Sequence, residues 1–195
     1  MESFTIKRSF YDSRPRSLIV NSDEIIYENT NLKSQPFTTI KKEDIAGLRH
    51  GIEFIKGLEF TIGRVYYIFI KTKNGKELKI DFKLFYGIEL QKKHNLFCSI
   101  LNALWNHYFY KMTDNFVKEA KEGKTNKISG VTFDDTKIAF DYSEIVLTDL
   151  EIKKYHHYFI LYSKNINHIN KMLYYLKDGD AVILLYILKN LIKKI

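Results

Sequence analysis

Few residues in this 195-residue chain have the type and spacing to do chemistry. His94 and Cys98 lie four apart in a helical stretch, a separation at which an imidazole can activate a thiol or both can face one metal ion. No third ligand follows at a matching spacing, and a lone cysteine beside Phe97 and Leu101 reads as a small core residue. His156 and His157 are neighbours on a strand-like stretch, so their side chains point to opposite faces and cannot share a metal. Asp134, Asp135 and Asp141 crowd turns, where Asp stabilises its own backbone. The glycines are scattered, and none belongs to a phosphate-cradling pattern. Tyr66-Tyr67-Ile68-Phe69 with its flanking lysines has the composition of a stacking platform for single-stranded nucleic acid. Its alternation suits sheet packing better, and it lacks the glycine–aromatic signature of RNA-binding sheets. The residues therefore offer no catalytic, cofactor-binding or metal-binding set. They point to a chain that is not an enzyme and for which nucleic acid is a poor partner.

The charge carries a weaker message than its size suggests. The formal net charge is +8, and clustered cations attract phosphates at long range. Nearly all of it is lysine, accompanied by heavy use of Ile, Asn, Tyr and Phe, as a low-GC coding bias would produce. Arginine, the residue suited to bidentate phosphate recognition, appears only at Arg8, Arg14, Arg16, Arg49 and Arg64. One cysteine cannot make an internal disulfide, no apolar run approaches the ~20 residues of a membrane span, and the N-terminus lacks a basic and an apolar leader region. The expected location is the cytoplasm.

The elements that must position these residues follow from periodicity. Val65–Lys73 and Lys76–Phe82 flank Asn74-Gly75, which predicts a hairpin with a two-residue type I′ turn. On the return strand Leu78, Ile80 and Phe82 alternate with Lys79, Asp81 and Lys83, so one face is buried and one wet. Upstream, Phe4–Phe10, Leu18–Val20, Glu24–Glu28, Phe37–Lys41 and Ile52–Ile62 read as strands, separated by turn clusters at Asp12–Pro15, Asn21–Asp23 and Asn29–Pro36. The period then changes: between about residues 88 and 120, Phe97, Leu101, Leu104, Trp105, Tyr108, Phe109 and Met112 form one helical stripe. Lys121–Lys127 is the expected linker. Beyond it, Ile128–Phe133, Lys137–Phe140, Glu144–Leu147 and Tyr155–Ser163 read as strands, and Asp180 as the cap of a last helix over Ala181–Lys194 with Leu184, Leu188, Leu191 and Ile195 on one face.

Seven strands closed by a helix, with Asp23-Glu-Ile-Ile-Tyr-Glu28 followed by Phe37-Thr-Thr-Ile-Lys-Lys-Glu-Asp-Ile45, resemble the bacterial pleckstrin-homology-like (PH-like) and GRAM-like families, of a Bacteroidetes type. Thr136–Phe140, Ile145–Leu150 and Tyr155–Ser163 with the last helix resemble a second, shortened copy. The resemblance implies an α+β, mainly β fold of two tandem PH-like units, at residues 1–122 and 128–195. Each is an antiparallel sandwich or partly open barrel closed by a C-terminal amphipathic helix, the second reduced. Phosphoinositide-binding members of such families share a lysine, a gap, then a basic residue, any residue and an arginine. Lys7, Arg14, Pro15 and Arg16, with Arg8 alongside, are similar to that pattern.

The expected role is recognition of a protein or peptide partner, through a sheet edge or a groove between strand and helix. The alternative is peripheral binding to anionic membrane lipid through Lys7, Arg8, Arg14 and Arg16.

Overall fold

The computed structural model describes residues 1–29, 36–87, 89–166 and 168–192. The protein is α+β and mainly β, and it divides into two compact units, Met1–Tyr110 and Lys111–Ile195.

The first unit opens with a four-stranded antiparallel meander: β1 (Glu2–Ile6), β2 (Arg16–Val20), β3 (Glu24–Glu28) and β4 (Phe37–Lys41). After a 3₁₀ turn at Lys42–Asp44 come three longer antiparallel strands, β5 (Ile45–Lys56), β6 (Thr61–Thr72) and β7 (Glu77–Phe85). β3 and β4 fall on the residues their alternation predicts. The expected strand over Ile52–Ile62 is instead the end of β5, a turn at Gly57–Phe60 and the start of β6, closed by Gly57 N–H donating to the Phe60 carbonyl at 2.7 Å. Most of the expected Asn29–Pro36 turn lies outside the described residues.

The β6–β7 hairpin is where Asn74-Gly75 places it, with a different turn. Of that pair, Gly75 takes positive φ (84°) and Asn74 does not, Gly75 N–H donates to the Thr72 carbonyl at 2.9 Å, and Thr72 N–H donates to that of Lys76 at 2.8 Å. This is a three-residue loop with glycine in the left-handed position, in place of type I′.

The helical stripe becomes α1 (Leu90–Leu104), a π turn (Trp105–Phe109) and α2 (Tyr110–Lys121). Phe97, Leu104, Tyr108 and Phe109 are buried as expected, together with Ile100 and Ala103, while Leu101 and Trp105 are only half-buried. The π turn inserts a residue into the helical repeat and so moves the buried stripe around the axis. α1 sits on the second sheet through an aromatic cluster: the Tyr66 ring lies 5.2 Å from Phe82 and 5.0 Å from Phe97. Tyr108 fastens its end of the helix by donating to the Asn21 carbonyl at 2.5 Å.

The division between the units falls inside this helical stretch, ahead of the expected linker. Lys121–Lys127 closes α2 instead: Gly123, at φ 78°, donates to the Ala120 carbonyl, and Lys124 N–H reaches back to Glu119. That is a Schellman cap, which needs the left-handed residue that glycine supplies. β8 (Asn126–Ile128) follows at once.

The second unit repeats the order four strands, three strands, helix. β8, β9 (Val131–Phe133), β10 (Lys137–Phe140) and β11 (Ser143–Val146) form one antiparallel meander. β12 (Leu150–Lys154), β13 (Tyr158–Ser163) and β14 (Asn170–Tyr174) form another, and α3 (Ala181–Ile192) closes the unit. The sequence yields four strands here and the structure has seven among the described residues, so this unit is reduced in strand length and not in strand number. The run Ile128–Phe133 is two strands, because Ser129 and Gly130 both take positive φ (53° and 72°) and form the tight hairpin turn. α3 is buried around most of its circumference, with Val182, Ile183 and Ile187 joining Leu184, Leu188 and Leu191. Asp180 leads it as expected, its carbonyl accepting from Ile183 and Leu184 N–H, each at 3.0 Å. Residues 193–195 lie outside the described residues.

Candidate functional site at the loop end of the first unit

The four basic residues singled out in the sequence do not form one presented surface. Arg14 is paired with Glu28, whose carboxylate also accepts from Ser17 N–H at 3.2 Å. That backbone bond first, with Arg14 and Arg16 behind it, holds the Glu28 carboxyl below its ordinary value against the upward push of burial. Arg16 is 2% exposed and donates through Nη2 to Asp12 at 3.0 Å. Arg8 is half-buried, with its Nε shut off from solvent. Lys7 and Arg14 are the exposed members of the four, and Arg14 is held by Glu28.

Lys7 belongs to a different basic group. It lines a cavity of about 520 Å³ together with Lys83, at the end of β7, and Lys93, in the first turn of α1. Ser9 and Ser13 supply hydroxyls, Leu84 and Phe85 an apolar wall, and Glu89 the one carboxylate of the lining. Lys93 is fixed by donating to the Lys83 carbonyl at 2.7 Å and the Lys7 carbonyl at 3.3 Å. Burial lowers its pKa, which Glu89 opposes and Lys7 reinforces. Lys83 N–H in turn donates to the Arg8 carbonyl at 2.7 Å, tying the chain after β1 to the edge of β7.

Around this cavity the chain presents apolar side chains to solvent. β1 ends at Ile6, and Ser9 and Asp12 close a turn on each other: Ser9 N–H donates to the Asp12 carbonyl and Asp12 N–H to Ser9 Oγ. Phe10 and Tyr11 are thereby thrown outward, 76% and 87% exposed, where the sequence reading puts Phe10 in a strand. On the other side, Gly63 pairs with Phe85, and Tyr86 N–H donates to the Ile62 carbonyl at 2.9 Å. This places the β5–β6 tip beside the end of β7, with Leu58 103% and Phe60 70% exposed. One end of the unit thus carries four exposed apolar side chains beside a lysine-lined cavity.

The other sequence candidates have plainer surroundings. Cys98 is exposed, off the core stripe, with its Sγ 3.7 Å from His94 Nε2. His156 and His157 lie in the turn between β12 and β13, their rings 5.8 Å apart and at 85°. Among the described residues no three His, Cys, Asp or Glu side chains are grouped to hold a metal ion. For Asp134, burial pushes the pKa up, but hydrogen bonds from Thr136 and Lys137 outweigh it and hold the carboxyl low. Asp141 occupies a turn at φ 46° and pairs with Lys171 at 2.5 Å. Of the aromatic strand, Tyr66 is buried, and the outward Tyr67 and Phe69 are covered by Lys79 at 5.0 Å and Arg49 at 4.6 Å.

Among the described residues no helix is long and apolar enough to cross a membrane. No family model matches the chain, and no curated protein matches it either.

Proposed function

We propose that the chain is a non-enzymatic binding protein built of two PH-like units, and that its first unit docks on anionic membrane surfaces. The observation that carries this reading is the end of the first unit, where Phe10, Tyr11, Leu58 and Phe60 stand in water beside Lys7, Lys83 and the exposed Lys56. Exposed apolar groups of this size mark interaction surfaces. Pairing them with lysines suits a bilayer interface, where rings and aliphatic tips enter the headgroup region while ammonium groups meet lipid phosphates. The cavity between them is wide enough to admit a phosphate-bearing headgroup. The sequence alternative is thus kept with a changed set of residues: Lys7 stays, Arg14 and Arg16 leave, and Lys83 and two apolar loops enter.

Partner binding has its own support in β5, a twelve-residue strand that ends the order β5-β6-β7 of its sheet, the position at which an added strand would pair. Co-sedimentation with vesicles of phosphatidylcholine alone, or with 30 mol% phosphatidylglycerol, separates the two. Membrane docking predicts pelleting with the anionic vesicles that is lost when Lys7 and Lys83 become Gln, and separately when Phe10 and Leu58 become Ser. Pelleting that is absent, or unchanged in both variants, refutes it and leaves the β5 edge as the place to search.

A further inference from the structure

Beneath the β1–β2 loop, the inner face of the first sheet holds a polar cluster that packing does not explain. The register sets Ile6 opposite Arg16 and Leu18 opposite Tyr27. Alternate residues of a strand share a face, so Arg16 and Tyr27 are diagonal neighbours on the buried side, and Arg8, two residues beyond Ile6, continues the row. Arg16 is 2% exposed and Tyr27 not at all.

Their hydrogen bonding is incomplete. Arg16 Nη2 is taken by Asp12, but Arg16 Nε and Nη1 and Arg8 Nε are buried with no hydrogen-bond partner among the described residues, and the Tyr27 hydroxyl, within reach of the Arg8 guanidinium, has no acceptor for its own proton there. Buried donors normally find acceptors, and a guanidinium left without one is costly. Charge points the same way: Glu28, the second carboxylate near Arg16, is paired with Arg14, so Asp12 is the one carboxylate left to Arg8 and Arg16, and an excess positive charge remains. Asp81, the carboxylate whose charge reaches Tyr27, is 3.7 Å from Lys79. Burial raises the Tyr27 pKa, while Arg8 and Arg16 both work against that rise, so both cations lie close to the hydroxyl.

We propose that Arg8, Arg16 and Tyr27 form a buried site for one small monovalent inorganic anion, of chloride or bromide size. Such an ion accepts from N–H groups of both arginines and from the phenol, and cancels the excess charge. A lipid headgroup does not suit this place, since almost none of Arg16 can be reached from solvent. The site is therefore distinct from the lysine-lined cavity, although it underlies the loop that carries Phe10 and Tyr11.

Trp105 is the only tryptophan and lies in the first unit, so its fluorescence reports unfolding of that unit. Melts at constant ionic strength, with sodium gluconate exchanged stepwise for sodium chloride or bromide, test the proposal. The expected result is a saturating rise in the Trp105 melting temperature of roughly 2–4 °C, too specific for screening because gluconate at equal strength lacks it. It should vanish in Tyr27→Phe and in Arg8→Gln, the latter at a half-buried position that tolerates change. Superimposable melts in gluconate and chloride overturn the site, as does a rise retained in both variants. In parallel, ³⁵Cl NMR should show excess line width with the native chain and none with Arg8→Gln; equal widths count against it.

Discussion

His50 gives the first unit a built-in sensitivity to acid whose size can be worked out. It sits on β5 opposite Ile68, with its ring edge-on to Phe97 of α1 at 5.9 Å and 74°. Burial pushes its pKa down from 6.5 to about 4. Because the folded pKa lies below the unfolded one, stability is complete above pH 6.5. It is lost as pH falls from 6.5 towards 4, where the unfolded chain takes up the proton first. A gap of this size corresponds to roughly 2.5 kcal/mol at pH 4.5, from 1.36 kcal/mol per pH unit. The ring keeps some contact with solvent, and discounting for it leaves about 1–2 kcal/mol. Urea unfolding followed by Trp105 fluorescence at pH 7.5 and 4.5 measures it, with His50→Leu as the comparison. The other titrating groups are common to both proteins, so the native chain should lose about 1–2 kcal/mol more than the variant on acidification. Equal losses would show that the ring is already protonated or well solvated in the fold, and the reasoning from burial would be wrong.

Three further outcomes follow from the geometry. Gly63→Ala places a Cβ against the Leu84 carbonyl oxygen and 3.1 Å from Phe85 Cα, both backbone atoms that cannot turn aside. It should cost roughly 2–4 kcal/mol by forcing β6 and β7 apart, read as a lower urea midpoint of the Trp105 transition, and an unchanged midpoint would disprove the clash. Tyr142 is fully exposed at φ 65° in the β10–β11 turn, so Tyr142→Asn should stabilise the second unit by about 0.5–1 kcal/mol in circular-dichroism melts, where no gain means the turn is unstrained. Leu184→Ala, in the buried face of α3, should destabilise that unit by about 2–5 kcal/mol in the same measurement, and a loss under 1 kcal/mol would contradict its place in the core.

What the sequence disclosed depended on how local the cause was. β3 is a short apolar run, Ile25-Ile26-Tyr27, bounded by Glu24 and Glu28, and the strand lies where that run put it, with Ile25 and Tyr27 on the buried face. β12 and β14 escaped because they are five residues long with few apolar positions: Leu150 and Ile152 in one, Met172 and Leu173 in the other. The Ser129-Gly130 turn left a readable trace, since a Ser-Gly pair marks turns, but the apolar residues on both sides masked it. Asn74-Gly75 located its turn without fixing the type, which depends on how many residues the two strands leave unpaired.

The candidate site was largely illegible for a different reason. Lys7 is far in the chain from Lys83 and Lys93, and the three meet only because the end of β1, the end of β7 and the start of α1 converge. Arg16 looked available because charge suggests exposure, whereas its position on the inner face of β2 is set by the register with Ile6. Phe10 looked like a strand residue until the hydrogen bonds between Ser9 and Asp12 turned the chain outward.

The docking claim is most directly tested by asking which end of the molecule meets the bilayer. An environment-sensitive fluorophore can be attached to Leu58→Cys, or separately to Tyr142→Cys in the second unit, each on a Cys98→Ser background so that one thiol reacts. Docking through this end gives a blue shift and rise in emission at position 58 on adding anionic vesicles, reversed by high salt, with no change at position 142. An unchanged spectrum at position 58, or equal shifts at both positions, would contradict it.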